Sequence, residues 1–141
     1  MKKILALFGL FVTLAGTNAT PAQNSAQDKN LPKVTVYYFH PSERCPIDQS
    51  VEKNTKTVVQ NYFDKEVKNG TLLLRVINTD DKSNAKFAST FDINAQALYI
   101  VKTVAGKETR NDLTRVAFDY SLSNPTKFKA GLKTEIEKAL K

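Results

Sequence analysis

The sequence predicts an α/β domain, a mixed four-stranded sheet covered by helices in the order strand, helix, strand, helix, strand, strand, helix. Three observations carry this. Lys33 to Phe39 (KVTVYYF) is rich in β-branched and aromatic residues on both alternating faces and leads into a long helix-patterned segment. Thr71 to Ile77 (TLLLRVI) is a continuous apolar run with a single Arg, the pattern of a central strand in a covered sheet. Ala97 to Val104 (ALYIVKTV), the turn Ala105-Gly106-Lys107 and the polar Glu108 to Asn111 read as a hairpin with an edge strand. A right-handed crossover makes the first two strands parallel, and the hairpin adds two antiparallel ones.

The elements follow in order. His40 to Arg44 is a loop, because Pro41 has no donor for a ladder and holds His40 extended. Cys45 stands at the entry to a helix, Pro46 suits the first helical position, and Asp48 falls near the third, where a carboxylate meets the free N–H groups and the positive dipole end. Ile47, Val51, Val58, Tyr62 and Phe63 recur at helical spacing, predicting one long amphipathic helix to about Lys68, stopped by Asn69-Gly70. A shorter helix is expected from Lys82 or Ser83 to Thr90, burying Ala85, Ala88 and Phe91. Leu113 to Leu122 carries Leu113, Val116, Ala117 and Tyr120 on one helical face. Ser123-Asn124-Pro125 caps a final helix that buries Phe128, Leu132, Ile136, Ala139 and Leu140.

Residues 1–19 read as a signal peptide: Lys2-Lys3, an apolar core from Ile4 to Leu14, and small residues at Thr17 and Ala19. That core is shorter than the ~20 residues a membrane-spanning helix needs, so the expectation is export to a periplasmic or secreted location without a lasting anchor. Residues 20–32 are polar and aperiodic and read as a disordered lead-in to a domain over 33–141.

The formal charge is +7 for 141 residues, and +5 once Lys2 and Lys3 leave with the leader. The basic residues are interspersed with acidic ones and no run of five like charges occurs, which argues against nucleic acid as a partner. No Gly-rich phosphate loop follows any strand, so no nucleotide-type cofactor is expected. One Cys and one His fall short of the four ligands of a structural zinc site, so no metal is expected.

The chemistry-bearing residues concentrate at the junction of the first strand and helix. Cys45 is the only Cys and His40 the only His. A helix N-terminus and the adjacent Arg44 favour a nucleophilic thiolate, while the Asp48 carboxylate opposes it. Asp48 is either a helix N-terminal acid or a proton carrier, and His40 either a hydrogen-bonded strand-end residue or a group that shares a proton with Cys45.

A strand leading to a Cys-Pro helix start in this order is the plan of the thioredoxin superfamily. More narrowly, the span from Lys33 to Lys141 resembles the thioredoxin-like ArsF family of Bacteroidetes, labelled a nitrophenyl-compound nitroreductase subunit. The likeness rests on Val36 to His40, Arg44-Cys45-Pro46, Glu52 to Lys56, Val76-Ile77-Asn78, Gly106-Lys107-Glu108, Asn111 to Thr114 and Pro125 to Leu140. The resemblance implies a Cys-x-x-Cys motif at the helix start, whereas this chain has Cys45-Pro46-Ile47-Asp48 and lacks the thiol that would resolve a mixed disulfide. It also implies a proline before the third strand, where this chain has Asn94-Ala95-Gln96-Ala97. Two functions are therefore expected as alternatives. One is a binding or accessory module of a redox system. The other is a monothiol thiol-disulfide oxidoreductase whose Cys45 forms mixed disulfides with a protein or small-thiol partner.

Overall fold

A computed structural model describes residues 33–141 apart from Asn94. The expected leader, 1–19, and the lead-in, 20–32, lie outside the described residues. Among the described residues nine elements follow one another: β1 (Val34–His40), α1 (Pro46–Tyr62), α2 (Asp64–Lys68), β2 (Leu72–Asn78), α3 (Lys82–Ser89), β3 (Ala97–Val104), β4 (Lys107–Asp112), α4 (Thr114–Tyr120) and α5 (Pro125–Leu140).

The sheet order is β2-β1-β3-β4, with β1 parallel to β2 and antiparallel to β3, and β3 antiparallel to β4. This is the thioredoxin-like arrangement that the element order predicts. Six of the seven residues of β1 are buried, as expected of a central strand covered on both faces. Val34, Val36 and Tyr38 point to one face, where Leu98 and Ile100 of β3 join them against Val51 and Val58 of α1 and Phe128, Leu132 and Ile136 of α5. Tyr37 and Phe39 point to the other, against Phe87, Ala88 and Phe91 around α3. The period-2 alternation of β1 thus sorts its aromatic residues between two cores.

Several expectations are corrected. The Leu-rich β2 lies at the sheet edge rather than at its centre, and Leu73 is 42% exposed. A continuous apolar run records burial on two faces, and in β2 the outward positions are only half covered. The long helix is broken at Phe63, whose backbone leaves helical angles at φ −129°, ψ 23°. That break turns the Phe63 ring into the core and leaves Tyr62, expected inside, 57% exposed, while Val59 takes the buried place. Along α3, Ala85 is exposed and Asn84 faces inward, donating to the Asn78 carbonyl at 3.0 Å. In α4 only seven residues are helical, and Val116 is exposed. The hairpin turn falls on Ala105 and Gly106, both at positive φ (49° and 73°), the pair of angles a two-residue turn between twisted strands requires.

Among the described residues no helix is long and apolar enough to cross a membrane, and no group of three or more His, Cys, Asp or Glu is placed to hold a metal ion.

Candidate functional site

Parallel pairing sets His40 of β1 beside Asn78 of β2, so both strands deliver their following loops to the same end of the sheet. In open α/β sheets the crevice beyond the carboxyl ends of parallel strands is the usual place for a site. The two loops are tied together there. Asp80 Oδ2 accepts from the Ser42 backbone N–H at 2.7 Å, and Asn78 Nδ2 donates to Ser42 Oγ at 3.0 Å. Thr79 Oγ1 lies 3.1 Å from both the His40 and the Ala95 carbonyl oxygens, which adds the approach to β3.

Cys45 is the N-cap of α1 and is exposed. Pro46 occupies the start of the helix, where no intrahelical donor is needed, and the Cys45 carbonyl accepts the first helical bond from Gln49 at 3.1 Å. Asp48 closes the cap from inside. Its Oδ2 accepts from the Cys45 backbone N–H at 3.0 Å, and its own N–H faces the Cys45 side chain in a capping-box arrangement. Asp48 is only 3% exposed, and its Oδ1 has no hydrogen-bond partner among the described residues. A carboxylate therefore fills the buried position three residues after the thiol.

Arg44 is directed elsewhere. Its guanidinium is ion-paired with Glu52 and lies over the Tyr38 ring, 5.7 Å from the centroid, with Nη2 3.5 Å from the Asp48 carbonyl. Burial disfavours the Arg44 charge, but the Glu52 carboxylate and the Tyr38 hydroxyl outweigh it and hold the group more firmly protonated than usual. Burial also works against ionised Glu52, and Lys56 with Arg44 more than offsets it, leaving its carboxyl below the usual range. Tyr38, fully buried, donates its hydroxyl to the Asp48 carbonyl at 2.9 Å, and burial is the main reason its phenol is pushed up to about 12.

His40 stacks on Tyr38 with ring centroids 5.8 Å apart, and its Nδ1 donates to the Pro41 carbonyl at 2.8 Å. The structure thus brings Arg44, Cys45 and Asp48 together around the N-terminus of α1, and joins His40 to them through the Tyr38 ring.

Sequence reasoning missed Tyr38 and Glu52 as parts of this cluster. Tyr38 reads as core, which it is, yet its hydroxyl reaches the helix start. Glu52 lies two helical turns beyond Arg44, and its signal is the helical spacing that stacks Asp48, Glu52 and Lys56 on one face. A second link was also hidden: Asn54 Nδ2 and Ser50 Oγ both donate to the Ser121 carbonyl, at 2.9 and 2.7 Å, tying α1 to the end of α4.

No protein-family model and no curated protein matches the chain. Among solved structures, a malarial protein is similar at 16% identity with a TM-score of 0.39, over 62% of this chain and 93% of that one.

Proposed function

We propose that this protein is an exported thioredoxin-fold binding or accessory module of a redox system, with Cys45 marking its contact surface, and that it does not perform dithiol catalysis. The observation that carries this reading is Asp48, a buried carboxylate bonded to the Cys45 N–H where a second thiol would have to stand. Attack of Cys45 on a disulfide forms one new S–S bond and releases one thiolate. No second thiol of this chain is then available to expel the bound partner. The pairing of Arg44 with Glu52 supports the same reading, since the neighbouring positive charge is already compensated. The expected export signal and the family resemblance suggest a protein or small-thiol partner and no lasting membrane anchor, and the interspersed charge argues against nucleic acid.

A second reading is favoured by the exposure of Cys45 at a helix N-terminus. In this alternative the protein is a monothiol oxidoreductase, and the partner thiol resolves the mixed disulfide. Intact mass after incubation with oxidised glutathione, followed by reduced glutathione, separates the two. A binding module shows no adduct, or a slowly formed adduct that does not turn over. A glutathione adduct that forms and clears rapidly, and is lost in Cys45→Ser, establishes the monothiol reaction.

A further inference from the structure

A groove of about 600 Å³ runs along α5, far in sequence from Cys45, with Leu113 and Val116 on its opposite wall and Phe128 among its lining residues. Its size falls within the range of small-molecule sites. Two features of α5 bear on what the groove accepts. Gly131 sits in the interior of the helix, where glycine is a poor choice, yet a Cβ built there meets nothing within 4 Å. Neither close packing nor a left-handed backbone requires glycine at this position, and what its bare backbone does is keep the groove wall open.

The second feature is Lys127, in the first turn of α5, where the helix dipole disfavours a cation and no acidic residue is present. Its ammonium lies 3.7 Å from the centroid of the Tyr120 ring and makes no ion pair among the described residues. At the other end, Asn111 Nδ2 donates to Glu135 Oε2 at 3.0 Å and closes the groove, and the Glu135 carboxylate takes its counter-charge from Lys138 at 2.7 Å. From Lys127 to Glu135 the helix advances about 12 Å.

We propose that this groove binds a small apolar molecule carrying one carboxylate, with the tail along Gly131 and Val116 and the carboxylate at Lys127. The proposal is independent of the chemistry at Cys45. A carboxylate there gives Lys127 its missing counter-charge and adds an anion at the positive end of α5.

The test is calorimetric titration of the protein with octanoate and, separately, with uncharged octan-1-ol. Octanoate is expected to bind saturably and about two- to fivefold more tightly than octan-1-ol, a modest charge preference suited to an exposed ion pair. Gly131→Leu, which fills the groove, is expected to weaken octanoate by about tenfold or more. Val116→Glu, at an exposed position on the facing wall, repeats that loss without touching the helix, and Lys127→Gln brings octanoate down to the affinity of octan-1-ol. Absence of saturable octanoate binding, equal affinity for both probes in the wild type, or unchanged binding by folded Gly131→Leu or Val116→Glu overturns the proposal.

Discussion

Arg44 immediately precedes Cys45 in the chain, but its guanidinium is ion-paired with Glu52, two turns along α1, above the face of Tyr38. The charge that adjacency would assign to the thiol is thereby compensated by a carboxylate that Lys56 also contacts, at 2.5 Å. Glu52 is the hinge of the cluster.

Acidification is expected to destabilise the protein through Glu52. Its carboxyl lies below the unfolded value of 4.5, held down by Lys56 and Arg44 against the effect of burial. In the interval between the two values the unfolded chain binds more protons, so the contribution is present above 4.5 and is lost as pH falls through the lower folded value. Urea denaturation across this range is expected to show a shallower acid limb in Glu52→Gln than in the wild type.

Tyr38→Phe is expected to cost about 1 kcal/mol, the usual net worth of a buried hydrogen bond, because the Asp48 carbonyl loses its 2.9 Å donor. A phenol raised from 10.0 to about 12 keeps its proton longer in the folded state, so it contributes stability that is lost as pH rises across that interval. Ultraviolet titration of the wild type is expected to show a late tyrosinate step near the upper value, and Tyr38→Phe to lack it.

How far the sequence reveals this arrangement depends on what each residue's pattern encodes. Element order and strand pairing are legible because Val34 to Phe39 and Ala97 to Val104 alternate between two cores, and that alternation is local. Pro46 and Asp48 are legible for the same reason, since cap chemistry needs only neighbouring residues. The edge position of β2 is not, because Leu72 to Leu74 read alike whether a further strand lies beyond them or not. The break at Phe63 is hidden because Tyr62 and Phe63 are both aromatic and the chain does not mark which one turns inward. The Arg44–Glu52 pair joins a loop to a helix face, and loop direction is set by tertiary contacts such as Ser42 with Asp80.

Gly131→Ala is expected to stabilise the protein by about 0.5–1 kcal/mol, as the added Cβ enters open space and the unfolded chain loses freedom. Thermal denaturation checks this. A loss of stability would mean that the backbone at this point of α5 needs glycine for a reason the contacts do not include.

Asn54→Ala is expected to cost about 1–2 kcal/mol, because Asn54 is buried and its amide donates at 2.9 Å to the Ser121 carbonyl at the end of α4. Removing Ser50 Oγ as well takes away the remaining donor. A coupling between the two substitutions in a double-mutant cycle is the expected signature of this shared acceptor.

Asp48→Cys is expected to form an intramolecular disulfide with Cys45, since the N-cap and third helical residue already face each other in a capping box. Mass spectrometry after exposure to oxidised glutathione should show the loss of two hydrogen atoms, two protons and two electrons taken up by the oxidant, and their return with reductant. A folded variant that stays reduced would contradict the placement of the two side chains.

The most direct test of the central claim is the rate of insulin disulfide reduction by dithiothreitol with and without the wild-type protein. A module whose buried partner position holds Asp48 in place of a resolving thiol leaves that rate unchanged. Repeated turnover per chain, abolished by Cys45→Ser, would contradict it.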